Sequence, residues 1–298
     1  MMNPLLNASI GAPITRAGIS LTPVYLHQQC PELLDAHGAG VTITERPDAE
    51  VPTLTLHNPS DRPVLVPGGM VVEGGHQNRV VNVPVIVEAH GTLNVSVSCV
   101  QAGRWGGGSE FRLGRAFAPR RVRDTNARTT ARSVQRGEKR ADQHEIWDSV
   151  RAELHQLGVD STTANLEERY IAAEADRERA GAIEELIGLG PLVGQHGIVV
   201  SHGRRIIAAD LFGSPELLQA NWQALITSHF SEHVVHGGGR PSLSQALRFL
   251  RRFATARAQM TPGTGLGTER HVDIRRLSGQ ALLLDDAVVY ASCFALAA

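Results

Sequence analysis

The chain has 298 residues and carries 29 Lys+Arg against 30 Asp+Glu, a formal net charge of -1, which removes bulk attraction to nucleic acid or to an anionic membrane as a driving force. No apolar run approaches the roughly 18 residues of a membrane-spanning helix. Cys30, Cys99 and Cys293 are too few and too scattered for a disulfide framework or a four-thiolate zinc site.

The N-terminal segment lacks the charged start and long apolar block of a signal peptide, so a cytoplasmic location is expected. The first hundred residues read as short strands at 21–26, 41–44, 53–58, 62–67, 78–87 and 92–100, with Pro and Gly in nearly every gap. Leu93, Val95, Val97 and Cys99 alternate with Asn94, Ser96 and Ser98, the period of two that buries one face of a strand. Cys99 then points inward, which favours a packed thiol over an exposed nucleophile. A two-layer antiparallel arrangement is the expected outcome. Residues 104–140 hold eleven basic side chains, ten Arg and Lys139, against Glu110, Asp124 and Glu138, a local charge of +8 in an otherwise acidic chain. Either this strip is a solvated helix and loop facing the acidic body, or its guanidinium forks hold a phosphate.

From Asp142 the periodicity becomes helical, with Asp142 and Glu145 placed as a capping box, Ile146, Val150, Leu154 and Leu157 on one stripe, and Gly158 at the end. Further helices are predicted over 162–188, from Ser214-Pro215 onward, and from Ser242 to about 258. Two sixteen-residue segments, GIVVSHGRRIIAADLF (197–212) and GQALLLDDAVVYASCF (279–294), share an opening Gly, a central turn and a closing Phe, and each reads as a β-hairpin. The fold class is therefore α+β: a β-rich lobe over 1–115, an Arg-rich connecting segment over 116–140 and an α+β lobe over 141–298, or one continuous domain over 10–298.

Three motifs offer chemistry. In PGGMVVEGGHQNRVVN (67–82), paired glycines bracket a short apolar run and present His76, Gln77, Asn78, Arg79 and Asn82 from a tight turn. Amides and a guanidinium suit a ribose, a base edge or a phosphate, or else simply satisfy the turn. In SCVQAGRWGGGSEF (98–111), the best strand exits through Cys99, Gln101 and Gly103, with Arg104 and Trp105 side by side; Trp can stack on a ring and Arg can hold an anion. Neither segment matches a P-loop or GxGxxG. His229-Phe230-Ser231-Glu232-His233 has the H-x-x-E-H pattern of inverted zinc peptidases, but no well-placed third ligand follows, so a zinc hydrolase built on His229, Glu232 and His233 is the remotest reading and no metal is expected. Asp210 suits either a ligand contact or the start of the helix after it. Gln143 and Trp147 share one helical face.

GGHQNRVVN (74–82), SVSCVQAGRW (96–105), the Arg-rich passage into ADQHEIW (141–147), AADLFGSPELLQANWQALI (208–226) and GQALLLDDAVVYASCF in series resemble a bacterial family, the ARG and rhodanese-phosphatase-superfamily-associated protein domain, where ARG abbreviates ADP-ribosylglycohydrolase. The resemblance runs from about residue 10 to the C-terminus. It implies a role in processing or binding NAD-derived, ADP-ribose-like or ADP-ribosylated species, or in related nucleic-acid repair. It also implies partnership with an ADP-ribosylglycohydrolase or a rhodanese-like phosphatase system. The positions that match are Gln77, Asn78, Arg79, Cys99, Gly103, Arg104, Trp105, Gln143 and Trp147. Two depart from the family's pattern: Gln101 stands where the resemblance leads one to expect an acid, and Tyr290 where a His is common.

On this reading Gln77, Asn78, Arg79, Arg104, Trp105 and Gln143 line a cleft that takes NAD or ADP-ribose as ligand, with His76, Asn82, Cys99, Gln101 and Asp210 as secondary members. No nucleophile–base constellation is legible, which keeps a non-enzymatic sensor or partner module, recruited through the Arg strip, beside the nucleotide reading.

Overall fold

Strands that bury one face need a partner layer, and here six of them find it by closing on each other. The computed structural model describes residues 2–104, 106–232 and 239–296. In it, strands Thr92–Cys99, Thr53–His57, Thr42–Glu50, Glu110–Phe117, Met70–Gly74 and Arg79–Val81 follow one another around a closed barrel, which leaves no sheet edge to cover. Leu54, Leu56, Val72, Val81, Val95 and Val97 belong to its buried core. The two-layer arrangement expected from the alternation is thus a barrel. The single strand expected over 78–87 is two, Arg79–Val81 and Val85–Val87, because Pro84 has no N–H for a ladder. The second piece joins Val64–Val66 and Leu34–Asp35 in a three-stranded sheet.

A nine-stranded sheet forms the other layer. The two sixteen-residue segments are hairpins at its centre, and their inner strands, Arg205–Phe212 and Ala287–Ala295, pair with each other. Asp210 and Ser292 hold the same place in the two segments and are register partners, so a local two-fold axis passes between them. Ile19–Tyr25 pairs with Gly197–His202, which ties the beginning of the chain to the sheet of its second half. One face of this sheet packs Val199, Leu211, Val288 and Ala291 against Phe249, Leu250 and Phe253 of helix Leu243–Thr255. Helices Arg120–Val134 and Pro215–Phe230 lie on the other face.

Local capping signals place most helices. Asp142 accepts from the backbone N–H groups of His144 and Glu145 at the start of Gln143–Gln156. Ser214 caps Pro215–Phe230, and Ser242 with Gln245 completes a capping box on Leu243–Thr255. The predicted helix over 162–188 is two, Glu167–Ala175 and Arg177–Leu189, since Asp176 leaves the helical conformation and caps the second. Among the described residues there are seven helices and 18 strands, an α+β fold, and none of the helices is long and apolar enough to cross a membrane.

The Arg-rich passage covers 116–140. Most of this passage is helix Arg120–Val134, whose buried residues include Arg123, Asp124, Asn126, Thr130 and Ser133. Most of its cations find carboxylates within the chain: Arg120 meets Glu232, Arg121 Glu153, Arg123 Asp210, Arg128 Asp124, Arg132 Glu145 and Lys139 Glu269. Gly69 belongs to the same arrangement. Its φ is +84°, and a Cβ there would come within 2.5 Å of the Arg123 Cδ, so the first glycine pair lets a buried arginine pass.

Candidate functional site

The hairpin Met70–Gly74/Arg79–Val81 and the exit of strand Thr92–Cys99 converge at one end of the barrel. Gly75 makes the turn with φ +50°, and a Cβ on it would strike the Phe111 ring at 2.1 Å; the second glycine pair therefore exists for close approach as well as for turning. The turn presents Asn78, whose Oδ1 accepts from the Gly74 N–H at 3.1 Å and from Arg104 Nη2 at 3.3 Å. Arg104 also donates through Nε to Gln101 Oε1 at 2.9 Å and through Nη2 to the Gly74 carbonyl at 2.9 Å. Asn78 Nδ2 reaches Asn165 Oδ1 at 3.4 Å. The two glycine-presented motifs thus meet, through Asn78, Gln101 and Arg104, at a cleft of about 490 Å³ that Glu73, Glu110, Phe111, Arg112 and Asn165 also line.

His76, Gln77, Arg79, Asn82 and Cys99 make their contacts within the protein. Arg79 is fully buried: Nη1 donates to the Gln77 carbonyl at 2.8 Å, Nε to the Val51 carbonyl at 3.2 Å, and Glu45 lies 3.9 Å from Nη2. Burial, and beyond it the neighbouring Arg104 cation, hold this guanidinium below its usual range. Gln77 donates to the Gln101 carbonyl at 3.3 Å, and the His76 N–H donates to Glu45 Oε1 at 3.1 Å. Asn82 is bonded to Ser96, Ser98 and Asn126, which joins the barrel to helix Arg120–Val134. Cys99 is buried with its Sγ at 3.3 Å from the Gln101 carbonyl.

Gln143 acts as a clamp. Its Oε1 accepts from the Cys99 N–H and its Nε2 donates to the Cys99 carbonyl, both at 2.8 Å, so the side-chain amide stands in for one residue of a neighbouring strand. Gln143→Ala leaves both backbone groups without that partner and is expected to cost about 1–3 kcal/mol of stability. A urea unfolding curve checks this; a change within experimental error would show that the clamp is dispensable.

A family model, ARPP-1, the ARG and Rhodanese-Phosphatase-superfamily-associated Protein domain, matches residues 7–294. The chain belongs to this family. Searches of curated proteins and of solved structures each returned no match. The family name ties ARPP-1 proteins to ADP-ribosylglycohydrolase and rhodanese-phosphatase systems.

In this ARPP-1 chain Gln101 lies in the cleft itself, where its neutral side-chain amide receives Arg104. Tyr290 lies elsewhere, buried with its hydroxyl donating to the Gly68 carbonyl at 2.9 Å. Asp210 is also remote from the cleft. It sits on the sheet beneath helix Arg120–Val134, accepts from Arg123 Nη1 at 2.6 Å, and has His229 Nε2 at 2.8 Å. Burial alone would raise the Asp210 carboxyl, but Arg123 and His229 outweigh it and hold the group below the usual carboxylate range.

These contacts account for two members of the H-x-x-E-H pattern. His229 is turned to Asp210, while Glu232 accepts from the Arg120 N–H and pairs with its guanidinium. His233 and Trp105 lie outside the described residues. Among the described residues no three His, Cys, Asp or Glu side chains converge as metal ligands.

Sequence reasoning did not find Asn165, Glu73, Glu110, Phe111 or Arg112. Asn165 had a local signal, since its Oδ1 accepts from the Glu167 N–H two residues on, an Asx turn just before the next helix. Glu110 and Arg112 share one side of strand Glu110–Phe117 by its period of two.

Proposed function

We propose that the cleft over Asn78, Gln101 and Arg104 binds a ligand of the ADP-ribose class, the diphosphate lying on Arg104 and the sugar and base edges on the surrounding amides. The observation that carries this reading is the state of Arg104. Three neutral acceptors fix it, and among the described residues none of the ion pairs involves it. The next cation along, Arg112, pairs with Glu73. A guanidinium held in place by neutral acceptors and outside those ion pairs is preorganised for an anion. Among the described residues, none of its bonds uses Nη1. Gln101 maintains this state, because an acid at that position would neutralise the arginine. Phe111 supplies an aromatic edge to the same cleft, and Asn78, Gln101 and Asn165 supply the donors and acceptors that ribose hydroxyls require.

The partner-module alternative rests on the Arg strip, and most of that strip's cations are bound to carboxylates of the chain itself. Nucleotide binding is therefore the better supported of the two.

Calorimetric titration with ADP-ribose and NAD tests the proposal. Arg104→Ala is expected to weaken ADP-ribose binding by about 1.5–3 kcal/mol, roughly ten- to a hundredfold, the worth of a charge-assisted contact. Absence of heat and of thermal stabilisation at millimolar ADP-ribose, or unchanged affinity in Arg104→Ala, would overturn it.

A further inference from the structure

A second cleft lies on the far side of the molecule's Arg-rich helix. Its volume is about 540 Å³, and its walls include Arg132, Arg257, Gln259, His271 and Asp273. Glu269, His271 and Asp273 alternate along strand Thr268–Ile274 and so share one face. His271 is 1% exposed and its Nε2 lies 3.0 Å from Glu269 Oε2.

The other carboxylate oxygen of Glu269 is equally committed. Lys139, the chain's only lysine, donates from Nζ to Glu269 Oε1 at 2.8 Å, to Thr264 Oγ1 at 3.0 Å and to the Pro262 carbonyl at 2.6 Å. Burial alone would raise the Glu269 carboxyl, but the bonds from His271 and Lys139 more than offset it and hold it below the usual range. An ionised carboxylate can only accept, so Nε2 carries a proton, and Nδ1 is the ring nitrogen left to meet a ligand. That Nδ1 has no hydrogen-bond partner among the described residues, although an unpaired buried polar atom carries a cost of its own. The nearest cations differ in the same way as those of the first cleft: Arg132 is paired with Glu145, whereas Arg257 is exposed and enters no ion pair among the described residues.

We propose that this cleft is a second ligand site for a small hydroxylated anion of the sugar-phosphate class. Arg257 holds the phosphate, and His271 Nδ1, oriented by Glu269 and Lys139, accepts the hydrogen of a ligand hydroxyl. The site is independent of the ADP-ribose reading, since none of its residues lines the cleft around Arg104.

The test is side-chain NMR of the full chain labelled with ¹⁵N-histidine, titrated with ribose 5-phosphate and, separately, with inorganic phosphate. His271 is assigned by comparison with His271→Gln. Ribose 5-phosphate is expected to move the His271 Nδ1 resonance at millimolar concentration and to bind more tightly than phosphate alone. Arg257→Glu, a substitution at an exposed position, is expected to weaken this binding at least about tenfold. No movement of Nδ1, or movement unaffected by Arg257→Glu, overturns the site; equal affinity for phosphate alone overturns the hydroxyl contact.

Discussion

Replacing Arg123 with methionine is expected to destabilise the chain by about 3–5 kcal/mol, the cost of leaving one member of a buried pair behind. Arg123 is 2% exposed, forms a two-pronged pair with Asp210 at 2.6 and 3.3 Å, and lies between the rings of Phe117 and Phe294. Removing it strands a fully buried carboxylate with, among the described residues, His229 as its one remaining side-chain hydrogen-bond partner. The pair also joins helix Arg120–Val134 to the centre of the large sheet, where the two hairpins meet at Asp210 and Ser292. Arg123→Met combined with Asp210→Leu removes both charges and is expected to recover part of the loss, because the two sites share one interaction. Urea unfolding of the two single variants and the double variant measures this. A loss below about 1 kcal/mol for Arg123→Met would contradict the reading of the pair as an internal strut.

Acidification is expected to produce the second large effect. His202 is mostly buried, and among the described residues its Nε2 has no hydrogen-bond partner. Burial first, and then the positive charge of Arg120, push its pKa down from 6.5 to about 4. Between these values the unfolded chain binds the proton and the folded chain does not, so stability rises with pH across that window. This contribution is complete above about pH 6.5 and is lost as the pH falls toward 4, amounting to roughly 2–3 kcal/mol. His196 is shifted in the same direction by burial and adds to the slope. Asp210 and Glu232, both held below the usual carboxylate range, lose their contributions only at lower pH. Unfolding free energies at pH 7 and pH 4.5 are expected to differ less in His202→Gln than in the natural chain. Equal differences would assign the acid sensitivity to other groups.

How much of this was legible in the sequence depended on how local the cause was. Ser214, Asp142 and Ser242 announced their helices because a cap is satisfied within three or four residues. The two hairpins were legible from their turns. Closure of the barrel was not, because it depends on Arg79–Val81 meeting Thr92–Cys99 and on Thr42–Glu50 meeting Glu110–Phe117, registers that no single segment encodes. The burial of helix Arg120–Val134 was not legible, because Arg123, Asp124, Asn126 and Thr130 share its buried positions with Val122, Ala127, Ala131 and Val134.

The same limit governs the site. Gln143 and Asn78 are both amides in plausible motifs, but one is spent on the Cys99 backbone while the other lines the cleft. Arg79 and Arg104 likewise differ only in what surrounds them. Gln101 stood in one of the motifs, and its role as a neutral acceptor for an arginine became visible only with Arg104 beside it.

The proposed ligand site is the cleft where the two glycine-presented motifs meet. Photo-crosslinking with an azido-adenine derivative of ADP-ribose, followed by peptide mapping, tests it. Labelling is expected within 73–78, 101–112 or 165–167, suppressed by excess ADP-ribose and reduced in Arg104→Ala. Competable labelling confined to other segments, or no competable labelling at all, would contradict it.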